Sequence, residues 1–180
     1  MRNDVIRFSR KQRQVLTWWR EGSPHWEKSA IICDGAVRSG NVYLCHAGDS
    51  RAYLLHQGKL QQLTRDHSLM ADMIEAGQLT PEEARKSSKK NIITRAVGVD
   101  REVSVDVSVI EKKQYADKTL LLCSDGLSNY IDAPALAPLR REHPDCADFV
   151  KTLIDEANRA GGSDNITAVA VELDKPEEEV

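Results

Sequence analysis

Residues 119–123 read Thr-Leu-Leu-Leu-Cys, a continuously apolar run that implies a strand buried on both faces. The run continues into Ser124-Asp125-Gly126-Leu127-Ser128, so it delivers one carboxylate, Asp125, to the end of a strand beside a glycine. Further along, Gly161-Gly162-Ser163-Asp164-Asn165-Ile166-Thr167 presents Asp164 in a glycine-rich loop before another apolar strand. Upstream, Gly48-Asp49-Ser50-Arg51 presents Asp49 in the same manner.

Strand-end aspartates suit Mg²⁺ or Mn²⁺, hard cations that take carboxylate, carbonyl and water oxygens and keep several waters. The sheet fixes the Cα positions, and the short side chain loses little entropy on ordering. A single Asp beside Gly reads better as a turn residue bonded to its own backbone than as a ligand. Three together suggest a metallohydrolase.

The rest of the composition excludes more than it identifies. A chain of 180 residues fits one domain. With 41 % hydrophobic and 29 % charged residues it is an ordinary globular sequence. A net charge of -3 gives no global attraction to nucleic acid or anionic lipid, so any basic partner surface must be local. Cys33, Cys45, Cys123 and Cys146 form no CxxC pair and are expected to be reduced core residues. No apolar stretch approaches the roughly 18–20 residues of a membrane span, and the N-terminus carries charges where a signal peptide is apolar. A cytoplasmic location is the expectation.

Helical spacing of Val5, Phe8, Val15, Leu16 and Trp19 predicts a helix over 4–20, closed by Gly22 and Pro24. Strands are expected at 29–37, 41–47, 51–56 and 59–63, joined by short turns into a meander over 29–64. Helical spacing returns over 68–77 with Gly77 as its stop, and Thr80-Pro81-Glu82-Glu83 opens a second short helix with a capping box. Strands follow at 91–96, 102–110 and 119–123. In 102–110, Val103, Val105, Val107 and Val109 alternate with polar residues as in a sheet with one wet face. Helices at 133–142 and 146–160 and a strand at 165–173 complete the pattern. This order predicts an α+β layered sandwich of two mainly antiparallel β-sheets flanked by helices.

Five stretches then occur in the order of a known family: His46-Ala47-Gly48-Asp49-Ser50-Arg51-Ala52-Tyr53, Leu63-Thr64-Arg65-Asp66-His67-Ser68, Ile93-Thr94-Arg95-Ala96-Val97-Gly98, Leu122-Cys123-Ser124-Asp125-Gly126-Leu127 and Ser163-Asp164-Asn165-Ile166-Thr167-Ala168. Over residues 30–173 the chain closely resembles the metal-dependent protein serine/threonine phosphatases of the 2C type, in their bacterial form. The resemblance implies a β-sandwich with a binuclear Mn²⁺ or Mg²⁺ site in a cleft at one end. There the ion pair activates water against the phosphorus of phosphoserine or phosphothreonine on protein substrates of a serine/threonine kinase. Asp125 and Asp164 match ligands to one ion of the pair, and Asp49 matches an aspartate that, with Asp125, holds a third, weaker ion. Residues 68–91 match the flap beside the cleft.

The family's opening Asp-Gly-x-Gly-Gly loop, whose aspartate bridges both ions, is not found in residues 1–30. Asp34-Gly35 is followed by Ala36-Val37 and does not replace it. The expected organisation is an N-terminal helix and linker at 1–28, a partial phosphatase 2C-like domain at 29–174 and an acidic tail at 175–180. Sheet edges left open by such a partial domain call for a dimer or a second chain, unless the helix at 4–20 with Trp18, Trp19 and Trp26 covers them. Three functional readings follow: a phosphatase, a non-catalytic phosphatase-like binding module, or a truncated gene product. His67, Arg51 and Arg95 are expected to be internally paired, and Cys123 is not expected to be a nucleophile. The basic residues of 1–20 read as a solvated helix face, with no nucleic-acid or membrane contact.

Overall fold

The computed structural model describes residues 34–38, 41–96, 102, 104–111, 114 and 117–173. The expected helix at 4–20, residues 29–33 of the first expected strand and the tail at 175–180 lie outside them. Among the described residues seven strands form two antiparallel sheets. One has the order β1 (Asp34–Arg38), β2 (Asn41–His46), β5 (Asp106–Ile110). The other has the order β4 (Lys59–Gln62), β3 (Arg51–His56), β6 (Lys118–Cys123), β7 (Ala168–Leu173). Helices α1 (Leu69–Glu75) and α2 (Pro81–Lys86) lie between β4 and β5 in sequence, and α3 (Asp125–Ser128), α4 (Ala133–Glu142) and α5 (Cys146–Arg159) between β6 and β7.

The apolar run of β6 explains the layering. Leu120 and Leu122 face the other sheet and pack with Val42, Leu44, Ala52, Leu54 and Ile110. Leu121 and Cys123 face the helices and pack with Tyr53, Leu127, Leu136, Phe149 and Leu153. A buried leucine contributes roughly 1.5–3 kcal/mol by leaving water, so β6, with neighbours on both sides and cores on both faces, is the hub of the fold. α5 seals the helical side because Phe149, Val150, Leu153, Ile154 and Ala157 recur at helical spacing on one buried face. Its start is fixed by Asp145, whose carboxylate accepts the Ala147 and Asp148 amides at 2.8 and 3.0 Å.

The expected caps are present. Ser68 caps α1, Gly77 follows it at φ +68°, and Thr80 and Glu83 form the capping box of α2. Four expectations need correction. β2 and β3 do not continue one meander, because the chain turns through Gly48 at φ +120° and passes from one sheet to the other. Residues 91–96 make only one bridge, Ser68 to Ile93, flanked by bonds to His67 and Leu69, since the opposing chain turns into α1 at Leu69. The valines of β5 face outward: Val107 is 64 % and Val109 50 % exposed, opposite Cys45 and Tyr43, while Ile110 turns inward opposite Val42. Of the described cysteines, all free, Cys123 is buried but Cys45 and Cys146 are half-buried.

Candidate functional site

Sheet register brings the three aspartates to one end of the molecule. Arg51 pairs with Cys123, and Cys123 pairs with Ala168. Asp49, two residues before the start of β3, Asp125, two residues after the end of β6, and Asp164, just ahead of β7, therefore share the same end of three adjacent strands.

A seam of hydrogen bonds fixes two of them to each other. Ser124 donates its hydroxyl to the Asn165 carbonyl at 2.9 Å and accepts the Thr167 amide at 3.0 Å, while its own amide donates to the Thr167 carbonyl at 3.0 Å. Gly126 lies against this seam, and a β-carbon there would stand 2.4 Å from the Asn165 carbonyl oxygen. Only glycine fits, which gives the Ser-Asp-Gly order a steric reason. Asp125 opens the single turn of α3, an element the sequence pattern did not signal.

Tyr130 holds the loop of Asp164 from the other side. Its hydroxyl lies 2.5 Å from the Ser163 hydroxyl and accepts the Ser163 amide at 3.2 Å. Gly161, at φ +148°, passes so close to the ring that a β-carbon would sit 2.9 Å from it. The Asp164 carboxylate accepts the Asn165 amide at 2.7 Å and is otherwise exposed to solvent.

The carboxylates repel one another. Burial, then the charge of Asp125, pushes Asp49 up to about 6, and burial, then the charge of Asp164, raises Asp125 above the usual carboxylate range. Oδ1 of Asp49 is buried without a hydrogen-bond partner. The charge of Arg51 offsets this only in part, because its guanidinium is committed to Asp66 through contacts of 2.6, 2.9 and 3.1 Å. Arg95 is likewise committed, at 2.9 Å from Asp106. Both arginines are internally paired, as expected. An orphaned buried carboxylate oxygen beside two further carboxylates is a donor set that fits a hard divalent cation.

The three aspartates nevertheless do not close into a cage. Among the described residues the group whose ligand atoms all lie within 4.8 Å of one another is His46, His67 and Asp106. Its hydrogen bonds argue against a metal. The Gly48 amide donates to Nδ1 of His67 at 3.1 Å, so this nitrogen carries the lone pair. Nε2 then carries the proton and donates it to Asp106 at 2.9 Å. A ring in that tautomer has no lone pair to offer a cation at Nε2, whereas metal-bound histidines donate through their other nitrogen. The group is a hydrogen-bonded tie. It joins the β2–β3 corner, which carries Asp49, to the base of α1 and to β5, reinforced by the His67 amide donating to the Gly48 carbonyl at 2.8 Å. His46 packs against His67 in a tilted arrangement with ring centroids 4.8 Å apart, and burial and then His67 lower its pKa.

Sequence reasoning singled out Asp49, Asp125 and Asp164 but missed Tyr130, Ser124 and Asp106. No local pattern signals residues that act across such sequence separations.

No family model matches this chain. Serine/threonine phosphatase Stp of Listeria monocytogenes is 39 % identical to it over 138 residues, which is 77 % of this chain and 54 % of that protein. The serine/threonine phosphatase structure from S. agalactiae superposes with a TM-score of 0.72 at 36 % identity, covering 78 % of this chain and 57 % of its own. The catalytic domain of PstP in complex with 2 manganese ions gives 0.68 at 33 % identity over 78 % of this chain and 57 % of its own. The chain spans about half the length of the curated relatives it matches. No helix among the described residues is long and apolar enough to cross a membrane.

Proposed function

We propose, since this chain belongs to the metal-dependent protein serine/threonine phosphatases of the 2C type, that it hydrolyses phosphoserine and phosphothreonine on proteins phosphorylated by a serine/threonine kinase. The observation that carries this reading is the shared end of β3, β6 and β7, where Asp49, Asp125 and Asp164 come together by strand register and a buried Asp49 oxygen has no partner. Asp125 and Asp164 would hold one divalent cation, and Asp49 with Asp125 a weaker one. The cation would be Mn²⁺ or Mg²⁺, and the manganese complex of the PstP catalytic domain supports a divalent metal here.

A divalent cation supplies two things when bound: a coordinated water of lowered pKa and positive charge against the phosphoryl oxygens. The chain's own residues do the remaining work. The Ser124 and Gly126 seam sets the position of Asp125 against the Asp164 loop, Tyr130 fixes that loop, and Arg51, held by Asp66, places a positive charge that partly offsets the burial of Asp49. The raised Asp49 and Asp125 carboxyls are spared like-charge repulsion once a cation lies between them.

A second reading, a module that binds phosphoproteins without turnover, is favoured by the absence of a closed three-carboxylate cage among the described residues. One experiment separates the two: hydrolysis of a phosphothreonine peptide with and without millimolar Mn²⁺, beside Asp125→Ala and Asp164→Ala. The phosphatase reading expects metal-dependent turnover that falls about a hundredfold or more in each variant. No turnover from a folded protein that binds the peptide supports the second.

A further inference from the structure

The flap between β4 and β5 carries the run Arg85-Lys86-Ser87-Ser88-Lys89-Lys90, four cations in six residues of a chain whose net charge is -3. Helix-dipole stabilisation accounts for Arg85 and Lys86 in the last turn of α2. It does not account for Lys89 and Lys90, which lie beyond the helix in an ordered turn. There the Lys89 amide donates to the Ser87 hydroxyl at 3.1 Å, the Lys90 amide to the Ser87 carbonyl at 3.3 Å and the Ile92 amide to the Lys89 carbonyl at 3.1 Å. Lys86, Lys89 and Lys90 are exposed and have no ion-pair partner among the described residues.

The position of this run relative to the aspartates follows from a chain of contacts. Arg85 reaches Asp132 at 3.4 Å. Asp132 lies two residues from Tyr130, whose hydroxyl is bonded to Ser163, the neighbour of Asp164. Lys90 and Asp164 both act electrostatically on the Tyr130 hydroxyl, with opposite signs. Cationic flap and carboxylate loop thus both lie near Tyr130, with opposite charge.

We infer that Lys86, Lys89 and Lys90 form a docking surface for acidic residues flanking the phosphorylated residue of the protein substrate, so that the preferred substrate class is acidic phosphopeptides. The inference rests on the phosphatase reading for the identity of the substrate. Exposed pairs are individually weak, but three acting together amount to a preference of about tenfold. The ordered turn reduces the entropy lost on engagement. Such a contact is screened by salt.

The test measures binding, by fluorescence anisotropy, of two short peptides that share a central serine with a non-hydrolysable phosphonate. One has Asp and Glu on both sides, the other Gln and Asn. The parent chain is expected to bind the acidic peptide about tenfold more tightly at low salt, and a Lys86→Gln, Lys89→Gln, Lys90→Gln variant to bind the two within about twofold. Replacing the same three lysines by Arg is expected to keep the preference, which separates charge from loss of fold. Equal binding of the two peptides by the parent, or a preference that survives the Gln variant, overturns the inference. So does a single-stranded oligonucleotide of equal charge binding as tightly as the acidic peptide. Since both peptides carry the same phosphonate, the comparison is independent of turnover. Hydrolysis of the phosphothreonine peptide decides the phosphatase reading separately.

Discussion

Gly126 packs against Asn165 so tightly that a β-carbon on Gly126 would lie 2.4 Å from the Asn165 carbonyl oxygen and 2.9 Å from its carbonyl carbon. The contact is with backbone, which cannot rotate away. Gly126→Ala must push the Asp164 loop off α3, at a cost of about 1–3 kcal/mol from overpacking. Urea unfolding measures the loss. Metal affinity by calorimetry is expected to fall with it, because Asp125 and Asp164 separate. A variant with parental affinity contradicts the joint role of these two aspartates.

Removing the ring of His67 strands the Gly48 amide, which donates to its Nδ1 at 3.1 Å in a buried setting. His67→Ala is expected to destabilise the chain by about 1–3 kcal/mol through the unsatisfied donor. His67→Asn offers a carbonyl oxygen near the Nδ1 position and is expected to lose less. The ordering of the two midpoints in urea checks the assignment, and equal losses count against it.

Asp49 ties stability to pH in a direction opposite to most carboxylates. Its pKa is pushed up from 3.8 to about 6, by burial first and the charge of Asp125 second, so between these values the folded chain holds a proton that the unfolded chain has released. The metal-free protein therefore loses stability as pH rises from 3.8 to about 6, and the deficit is constant above that window. Allowing for partial exposure, it amounts to ~1–2 kcal/mol. Asp49→Asn is expected to raise the Tm at pH 8 in EDTA. Thermal melts from pH 4 to 8 test this, and a variant no more stable than the parent at pH 8 speaks against it.

Cys123 borders the site in sequence but is inert. Burial raises its thiol to about 12, so almost none is thiolate at neutral pH. It is expected to resist a thiol reagent in the folded chain and to react only on unfolding, while half-buried Cys45 and Cys146 react sooner. Mass mapping after a timed pulse distinguishes the sites.

How much of this was legible in the sequence depended on how far each interaction reaches. The unbroken apolar run at 119–123 announced a strand buried twice over, and β6 is that strand. The alternation at 102–110 gave the strand character of β5 but not its facing. Alternation has a period without a direction, and the side that meets the core was set by pairing with β2, where Tyr43 stands opposite Val109. The division of β2 and β3 between two sheets was hidden because Ala47-Gly48-Asp49 resembles an ordinary tight turn. The aspartates were readable as a set through their motifs. The ties that aim them were not, since Tyr130 to Ser163 and Ser124 to Asn165 join residues whose pairing exists only once both elements are folded.

Asp125 extends directly from β6, the strand walled in by two cores, whereas Asp164 stands on a solvent-exposed glycine loop. Local opening costs least where few apolar contacts are broken, and most in a central strand. The two carboxylates thus sit on elements of unequal resistance to opening: Asp125 follows a strand that opens only with the whole fold, whereas the Asp164 loop opens once its ties to Tyr130 and Ser124 part. The Asp164 side of this end of the molecule is therefore the one expected to open first, with Asp125 held on the element that opens last.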